Sequence, residues 1–435
     1  MSPDRLQCSA GEAGSRALAR LRELGARDGE VLLRHSRGTS LRLARGTPRE
    51  VGTWAEEGLA VLAIRHDGGS ALVTGASWED SADVAARAFA LAEGSFAGVD
   101  LPSHRVRQAL PRDASLNVPV DPQSEDELAT ALAAVEVAAL AADERVVALD
   151  AVQARSAVVV SYFASLAGAA AHQRHATSLA HASVLVRDGL KVATRAEAWA
   201  GSRLVLAEAI AFGDRAARSA VVHLVGSGAA PPHLPRILLG PGALAELTFS
   251  FGLGLLGVAP VSGPGWERAG AIHPALSLRE DSAADASARV LPIDGAGRPL
   301  RTCAIVEHGA WSLPTPGAAP WVRPGLADLP RPAWMRLSWD WRGGEDEASL
   351  VKRLERGLAI ESLHALSVDV VAGRWTGSAS GWWVEDGRRR HAVAGVPVTL
   401  GIAQVIHGAI AGGDVQVLAH PSGVIRSIGL VSVLE

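Results

Sequence analysis

The sequence predicts an α+β protein in two parts, an N-terminal domain over 1–225 of antiparallel β-meanders flanked by helices and a β-rich domain over 226–435. Three observations predict it. A helix, a run of short alternating strands and a closing helix occur twice before residue 226. After Gly226-Ser-Gly-Ala-Ala-Pro-Pro the texture changes: Gly and Pro become frequent, and nine of the twelve Trp lie from Trp266 onward. A length of 435 residues is enough for two or three domains with a sizeable core, and 48% hydrophobic with 20% charged residues excludes wholesale disorder, collagen and coiled coil.

Ser15 to Leu24 reads as a short amphipathic helix, with Leu18, Leu21 and Leu24 on one stripe and Gly25 as its stop. Five strand segments follow: Glu30 to Ser36, Ser40 to Arg45, Glu50 to Ala55, Leu59 to His66 and Ala71 to Thr74. Gly38, Gly46, Gly58 and the Asp67-Gly68-Gly69 turn punctuate them, as in an antiparallel meander. Ser81 to Glu93 has an N-cap residue and helical spacing, and a Pro-containing connection runs from Gly94 to Pro122. Ser124 and Glu127 form a capping box before a helix reaching about Ala142. Strands are expected again at Val146 to Val152, Ala157 to Phe163, around His172, His181 to Arg187 and Leu190 to Ala196, with Asp188-Gly189 as a hairpin turn. A helix from Leu204 to about Leu224 closes the unit, and the repeated order suggests an internal duplication.

In the second part, strands are expected at Arg236 to Leu239, Leu300 to Glu307, Met335 to Trp341, Ser367 to Val371, Gly381 to Glu385 and several places after His391. A Pro-rich loop spans Leu313 to Pro332, and Ser349 to Leu358 is the clearest helix.

Composition narrows the function classes. A net charge of -4 gives no positive field to draw the chain to nucleic acid or anionic lipid. Lys191 and Lys352 are the only lysines, and a GC-rich genome explains this excess of Arg more simply than a binding role does. Cys8 and Cys303 cannot build a disulfide framework or a four-Cys zinc site. The first residues lack the apolar core of a signal peptide, so the expected compartment is the cytoplasm. From Leu247 to Gly265 there is no charge, but Gly and Pro interrupt what would have to be a spanning helix, and no membrane association is expected.

Chemical motifs are sparse. Gly252-Leu-Gly254-Leu-Leu-Gly257 fits a dinucleotide fingerprint in letters only, since a helical pattern precedes it and no helix follows. His172, His175 and His181 are the densest His group, but residues three apart on a strand face opposite sides, so a polar strand face is the simpler reading. His364 and His407 sit in apolar surroundings and read as structural histidines before catalytic bases. Trp334, Trp339, Trp341, Trp382 and Trp383 read as core or interface residues before an aromatic platform. No Gly-x-Ser-x-Gly elbow, Walker loop or His-Glu-x-x-His occurs.

Three segments carry a resemblance: Val31-Leu-Leu-Arg-His-Ser-Arg-Gly-Thr-Ser-Leu-Arg-Leu-Ala-Arg-Gly46 with Glu57-Gly-Leu-Ala-Val, Asp294-Gly-Ala-Gly-Arg-Pro-Leu with Val306-Glu-His-Gly, and Val371-Ala-Gly-Arg-Trp-Thr-Gly-Ser-Ala-Ser-Gly-Trp-Trp-Val-Glu-Asp-Gly387. They resemble the TldD/PmbA proteins, once called modulators of DNA gyrase and understood as metallopeptidase subunits. The first resembles the family's opening meander and the second a further segment. The third, the most specific, is similar to the glycine-rich C-terminal motif of the PmbA branch, also called TldE.

In that family the TldD-type subunit carries a His-Glu-x-x-x-His zinc helix and a further Cys ligand. Here the corresponding helix reads Ala243-Leu-Ala-Glu-Leu-Thr-Phe-Ser-Phe-Gly-Leu-Gly254, placing Phe249, Ser250 and Gly254 at the degenerate metal-helix positions, and the Cys position falls near Ser378. Zinc needs two imidazoles on one helical face and a carboxylate to take the water proton, which these residues do not supply. The resemblance therefore implies a zinc-free PmbA/TldE-like subunit, with no cofactor of its own and zinc in a TldD-like partner. The two would form a heterodimer whose cleft trims unfolded peptides. Gly377, Ser378, Ala379, Ser380, Gly381 and Trp382 are the candidates for a tight turn that lines or supports that cleft. The alternatives are a homodimer that holds peptides without cutting them and a hydrolase with a metal site of its own.

Overall fold

The computed structural model describes residues 3–44, 47–94, 116–117, 121–168, 170–226, 236–257, 272–280, 303–311, 336–369, 373–413, 416–420 and 423–433. In the first half the order is α1 (Pro3–Glu23), β1 (Asp28–Ala44), β2 (Thr47–Ile64), β3 (Ser70–Gly75), α2 (Ser81–Leu91), β4 (Leu116–Asn117), α3 (Glu125–Ala142), β5 (Val146–Ser165), β6 (Ala170–Asp188), β7 (Lys191–Gly201) and α4 (Leu206–Val225). The strands form one sheet, β3-β2-β1-β5-β6, with β7 and the short β4 both paired to β6. Helix, three strands and helix thus occur twice, and the two units meet where β1 pairs antiparallel with β5.

Alternation of apolar and polar residues explains why one sheet face is covered by helices. Val31 and Leu33 pack with Leu21 of α1 and Val84 of α2, whereas Leu41 and Leu43 of the same strand pack with Leu132 of α3 and Phe212 of α4. Strand β1 is therefore long enough to serve both cores. Ser124 accepts from Glu127 N, and the Glu127 side chain returns to the Ser124 backbone, so the capping box starts α3 as the sequence predicts. Gly68 (φ +86°) and Gly189 (φ +57°) occupy left-handed positions in the two predicted turns.

The second half runs β8 (Arg236–Leu239), α5 (Pro241–Gly257), β9 (Leu276–Glu280), β10 (Cys303–Glu307), β11 (Ala310–Trp311), β12 (Arg336–Trp341), α6 (Glu347–Leu354), β13 (Gly357–Asp369), β14 (Arg374–Glu385), β15 (Arg388–Gly401), α7 (Ile402–His407), β16 (Ala409–Gly412), β17 (Gln416–His420), β18 (Gly423–Ser427) and β19 (Leu430–Val433). Two six-stranded sheets result, β11-β10-β9-β12-β18-β17 and β15-β14-β13-β8-β19-β16. Helix α5 packs against strands of both, and Leu244, Leu247 and Phe249 join Trp339, Leu337, Leu358 and Ile360 in one core. The indole of Trp339 donates to Thr248 Oγ1 (2.9 Å), which satisfies a buried polar pair beneath that core.

Several sequence expectations need correction. Gly38 and Gly58 do not end strands: both lie inside continuous partners of one hairpin, at the register pairs Gly38↔Trp54 and Arg34↔Gly58. A Cβ on Gly38 would lie 2.1 Å from the Ser156 carbonyl oxygen, so glycine there permits the close approach of β1 and β5 rather than a turn. Gly377 to Trp382 is likewise no turn, because it forms the middle of β14 and is paired to both β13 and β15. The α6 helix stops at Leu354, where Glu355 takes φ +54°, and Gly357 already belongs to β13. The first helix begins at Pro3, a dozen residues before the apolar stripe that signalled it. The Pro-rich loop, Asp294 to Leu300 and Trp334 lie outside the described residues.

Replacing Gly38 with Ala should destabilise the chain by roughly 2 kcal/mol or more, since the neighbour is backbone and cannot give way. Gly58→Ala, where a Cβ would meet nothing within 4 Å, should be close to neutral. Thermal melts of the two variants beside the parent check the contrast.

Candidate functional site

A cavity of about 850 Å³ opens between the first sheet's edge and the second half of the chain. Strand β7 contributes Arg195 to Ala198, α4 contributes Asp214, Arg215, Arg218 and Ser219, and α5 contributes Gly242, Ala245 and Glu246. Strand β13 supplies Ile360 to Leu363 on the far wall, with Arg389 of β15 and Glu345 to Glu347 at the start of α6. Within the described residues β7 pairs only with β6, and β17 packs near it.

Most of the charges here are paired. Arg218 holds Asp214 at 2.8 Å, one turn back on α4, and Arg389 bonds Glu347 and lies 3.8 Å from Glu361. Asp346 is the N-cap of α6, and hydrogen bonds from the Ser349 hydroxyl and then from Ser349 N hold its carboxyl below the usual range. Burial pushes the Glu361 carboxyl up, while Arg389 and a hydrogen bond from the Trp382 indole oppose the rise.

The most constrained group is His364. Arg195 Nη2 lies 2.8 Å from its Nδ1, and the hydroxyls of Ser362 and Ser380 lie 3.2 Å and 3.4 Å from its Nε2. A guanidinium only donates, so Nδ1 must be the acceptor and the ring proton sits on Nε2, facing the two serines. This is the reverse of a hydrolytic Ser-His pair, in which Nε2 must be free to take the serine proton and a carboxylate holds Nδ1–H. Burial, then Arg195 and the edge-on ring of His223, lower the His364 pKa to about 4. The imidazole is a fixed neutral donor at neutral pH, not a base.

The predicted residues fall around this cluster rather than on the cavity wall. Ser380 is buried and reaches His364, Trp382 supports Glu361, and Ser378 is the register partner of His364. Ala379 and Gly381 are buried in the sheet, where a Cβ on Gly381 would lie 1.9 Å from the Ala359 carbonyl oxygen. Gly377 is half-buried in the same strand.

On α5, Phe249 is 1% exposed and its ring belongs to the core; Ser250 is half-buried, and Gly254 lies in the last turns of the helix. These residues do not fit zinc, because a buried phenyl ring and a hydroxyl offer neither imidazole nor carboxylate. Among the described residues no group of three or more His, Cys, Asp and Glu could hold a metal ion. His172 and His181 share strand β6 but lie nine residues apart, about 30 Å along it, and the side chain of His175 lies outside the described set. The Gly252 to Gly257 run sits within α5 itself, not at a strand-to-helix turn. Trp339, Trp341 and Trp383 are core residues.

Sequence reasoning named Ser380 but missed Arg195, Arg215, Glu361 and Ser362, which come from β7, α4 and β13. Arg195 and His364 are 169 positions apart, a separation no local motif bridges.

Comparison with known proteins bears on the same architecture. Residues 314–433 match the family model described as the PmbA/TldA metallopeptidase C-terminal domain. That match assigns a PmbA/TldD-type C-terminal domain to this stretch of the chain. Solved structures of similar fold span nearly the whole length. TldE from Thermococcus kodakarensis is 15% identical with a TM-score of 0.73, covering 97% of this chain and 99% of that one. A proposed modulator of DNA gyrase from Bacteroides thetaiotaomicron is 16% identical with a TM-score of 0.75, covering 100% and 99%. Another from Thermotoga maritima is 19% identical with a TM-score of 0.70, covering 98% and 99%. At these identities the likeness is one of fold. No curated protein matches. No helix among the described residues is long and apolar enough to cross a membrane.

The His364 environment has a measurable consequence in this TldD/PmbA fold. With a folded pKa of about 4 against 6.5 for a free imidazole, the unfolded chain takes up the proton first as the pH falls. The cost is absent above pH 6.5, grows toward pH 4 and is constant below it. His364→Gln removes this titration, so its Tm should fall less steeply than the parent's between pH 6.5 and 4 in calorimetry.

Proposed function

We propose that this chain is the zinc-free, PmbA/TldE-like subunit of a TldD/TldE-type metallopeptidase, which forms part of a cleft that receives unfolded peptides. The observation that carries the reading is the α5 stripe beside the cavity. Gly242 and Glu246 line the space, whereas Phe249, one turn further along the same stripe, places a buried apolar ring in the core. Zinc would be supplied by a TldD-like partner bearing the His-Glu-x-x-x-His helix. Processing of peptides is the role that the family resemblance implies for such a pair.

The edge of β7 gives the cleft a physical means of holding extended chains. A peptide added as a strand there would receive backbone hydrogen bonds that ignore its sequence, and the charged walls would keep water around its side chains. A folded protein keeps its strands paired and its sheet edges guarded, so it could not lay an extended segment along that edge.

Elemental mass spectrometry of the chain purified alone, after dialysis against metal-free buffer, should find only background zinc. The chain alone should leave an unfolded peptide intact, and cleavage should begin when a TldD-like chain carrying the zinc helix is added. Stoichiometric zinc in the isolated chain, or cleavage by it alone, would overturn the reading. Peptide binding by a stable homodimer that ignores the partner would favour the non-cutting alternative.

A further inference from the structure

Four arginines line the cavity, and they are not equivalent. Arg218 and Arg389 have carboxylate partners. Arg215 has no ion pair among the described residues; its guanidinium lies 5.5 Å from the centre of the Phe212 ring, three residues earlier on α4. Arg195 spends one nitrogen on the neutral His364, keeps a buried Nε with no hydrogen-bond partner, and comes only within 4.0 Å of Glu197. Glu197 is the carboxylate these two cations share, and it already accepts the Ser219 hydroxyl at 2.7 Å. Burial pulls the Arg215 pKa down despite the attraction of Glu197. Glu246 of α5 also lines this end and acts on His364. Arg215 nevertheless remains a desolvated guanidinium without an ion pair among the described residues, and Arg195 keeps an unused Nε donor, both costly without a ligand.

We infer that Arg215 and Arg195 form a carboxylate-binding subsite in the cavity, taking a carboxylate of the bound peptide; this rests on the peptide cleft proposed above. The planar guanidinium fork matches a carboxylate in two-point geometry. A cationic ligand would meet two guanidinium groups at this end of the space. A dianion such as phosphate would face Glu361, Glu345 and Glu347 on the opposite walls, so a single negative charge fits better. The neutral state of His364 serves the same end, since it anchors Arg195 without consuming its charge.

The test uses the full chain and three unfolded peptides of one sequence, each with an uncharged N-terminal fluorophore. The first has a free C-terminal carboxylate and no acidic residue, the second is its C-terminal amide, and the third is an amide with one internal Glu. By fluorescence anisotropy the first should bind at least about tenfold tighter than the second. R215Q should erase that preference, and R215K should keep part of it. Tight binding of the third peptide would assign the subsite to acidic side chains as well as chain ends. Equal binding of all three, or a preference that survives R215Q, overturns the subsite and leaves the cleft standing. If none of the three binds, the cleft reading fails, and the subsite is judged alone with N-acetylalanine and N-acetylalanine amide. The acid, and not the amide, should then shift the His364 ring proton resonance in the parent and not in R215Q; no shift overturns the subsite.

Discussion

The antiparallel pairing of β1 with β5 is the contact on which the remaining structure depends. It runs from Glu30↔Ser165 to Leu43↔Val152, and it joins the two helix-covered cores into one sheet. Near its middle Gly38 faces Ala157, where any side chain would strike the β5 backbone. A slip of one residue would turn Leu41 and Leu43 away from α3 and α4 and empty the second core. Because β5 is fixed, β6 and then β7 follow outward, and β7 becomes the edge that carries Arg195 to the cavity.

A small polar knot holds the second helix pair to this sheet. Gln123 N donates to Ser156 Oγ at 2.9 Å, Ser178 Oγ lies 2.9 Å from Ser156 Oγ, and Leu204 N donates to Gln123 Oε1 at 2.8 Å. These groups tie the approach to α3 and the approach to α4 to neighbouring positions on β5 and β6. Being buried and mutually satisfied, they fix where α4 starts, and therefore where Arg215 and Ser219 face the cavity.

What could be read in the sequence is what short-range chemistry decides. Ser124 and Glu127 fix a helix start, and Asp67-Gly68 and Asp188-Gly189 fix two turns, because each satisfies local backbone groups whatever lies beyond. Gly38 and Gly381 misled for the opposite reason. Their glycine answers to a strand far away in sequence, at Ser156 and Ala359, and reads locally as punctuation. The site was legible only in part: Ser380 lies in the glycine-rich motif and His364 reads as a structural histidine, but Arg195 and Arg215 lie on other elements and have no neighbour in sequence that marks their role.

The cavity walls carry paired charges, and no cluster among the described residues could hold a metal ion. An open zinc site needs ligands that water can reach, since the fourth position must take up a water molecule or substrate. The α5 stripe begins in that manner with Gly242 and Glu246, but at Phe249 it is sealed within the core shared with Trp339 and Leu337. An imidazole placed there alone would be a desolvated polar ring with no counterpart at Gly254, so a single substitution would cost stability without creating a site. His364 is withheld from base chemistry by a different device, the Arg195 guanidinium that occupies Nδ1. Neither place contributes a proton acceptor: Phe249 has none, and His364 Nδ1 is occupied by Arg195. Phe249 and Arg195 therefore act in the same direction, one by filling with a buried ring the position at which the family resemblance would put a metal ligand and the other by fixing the tautomer of His364.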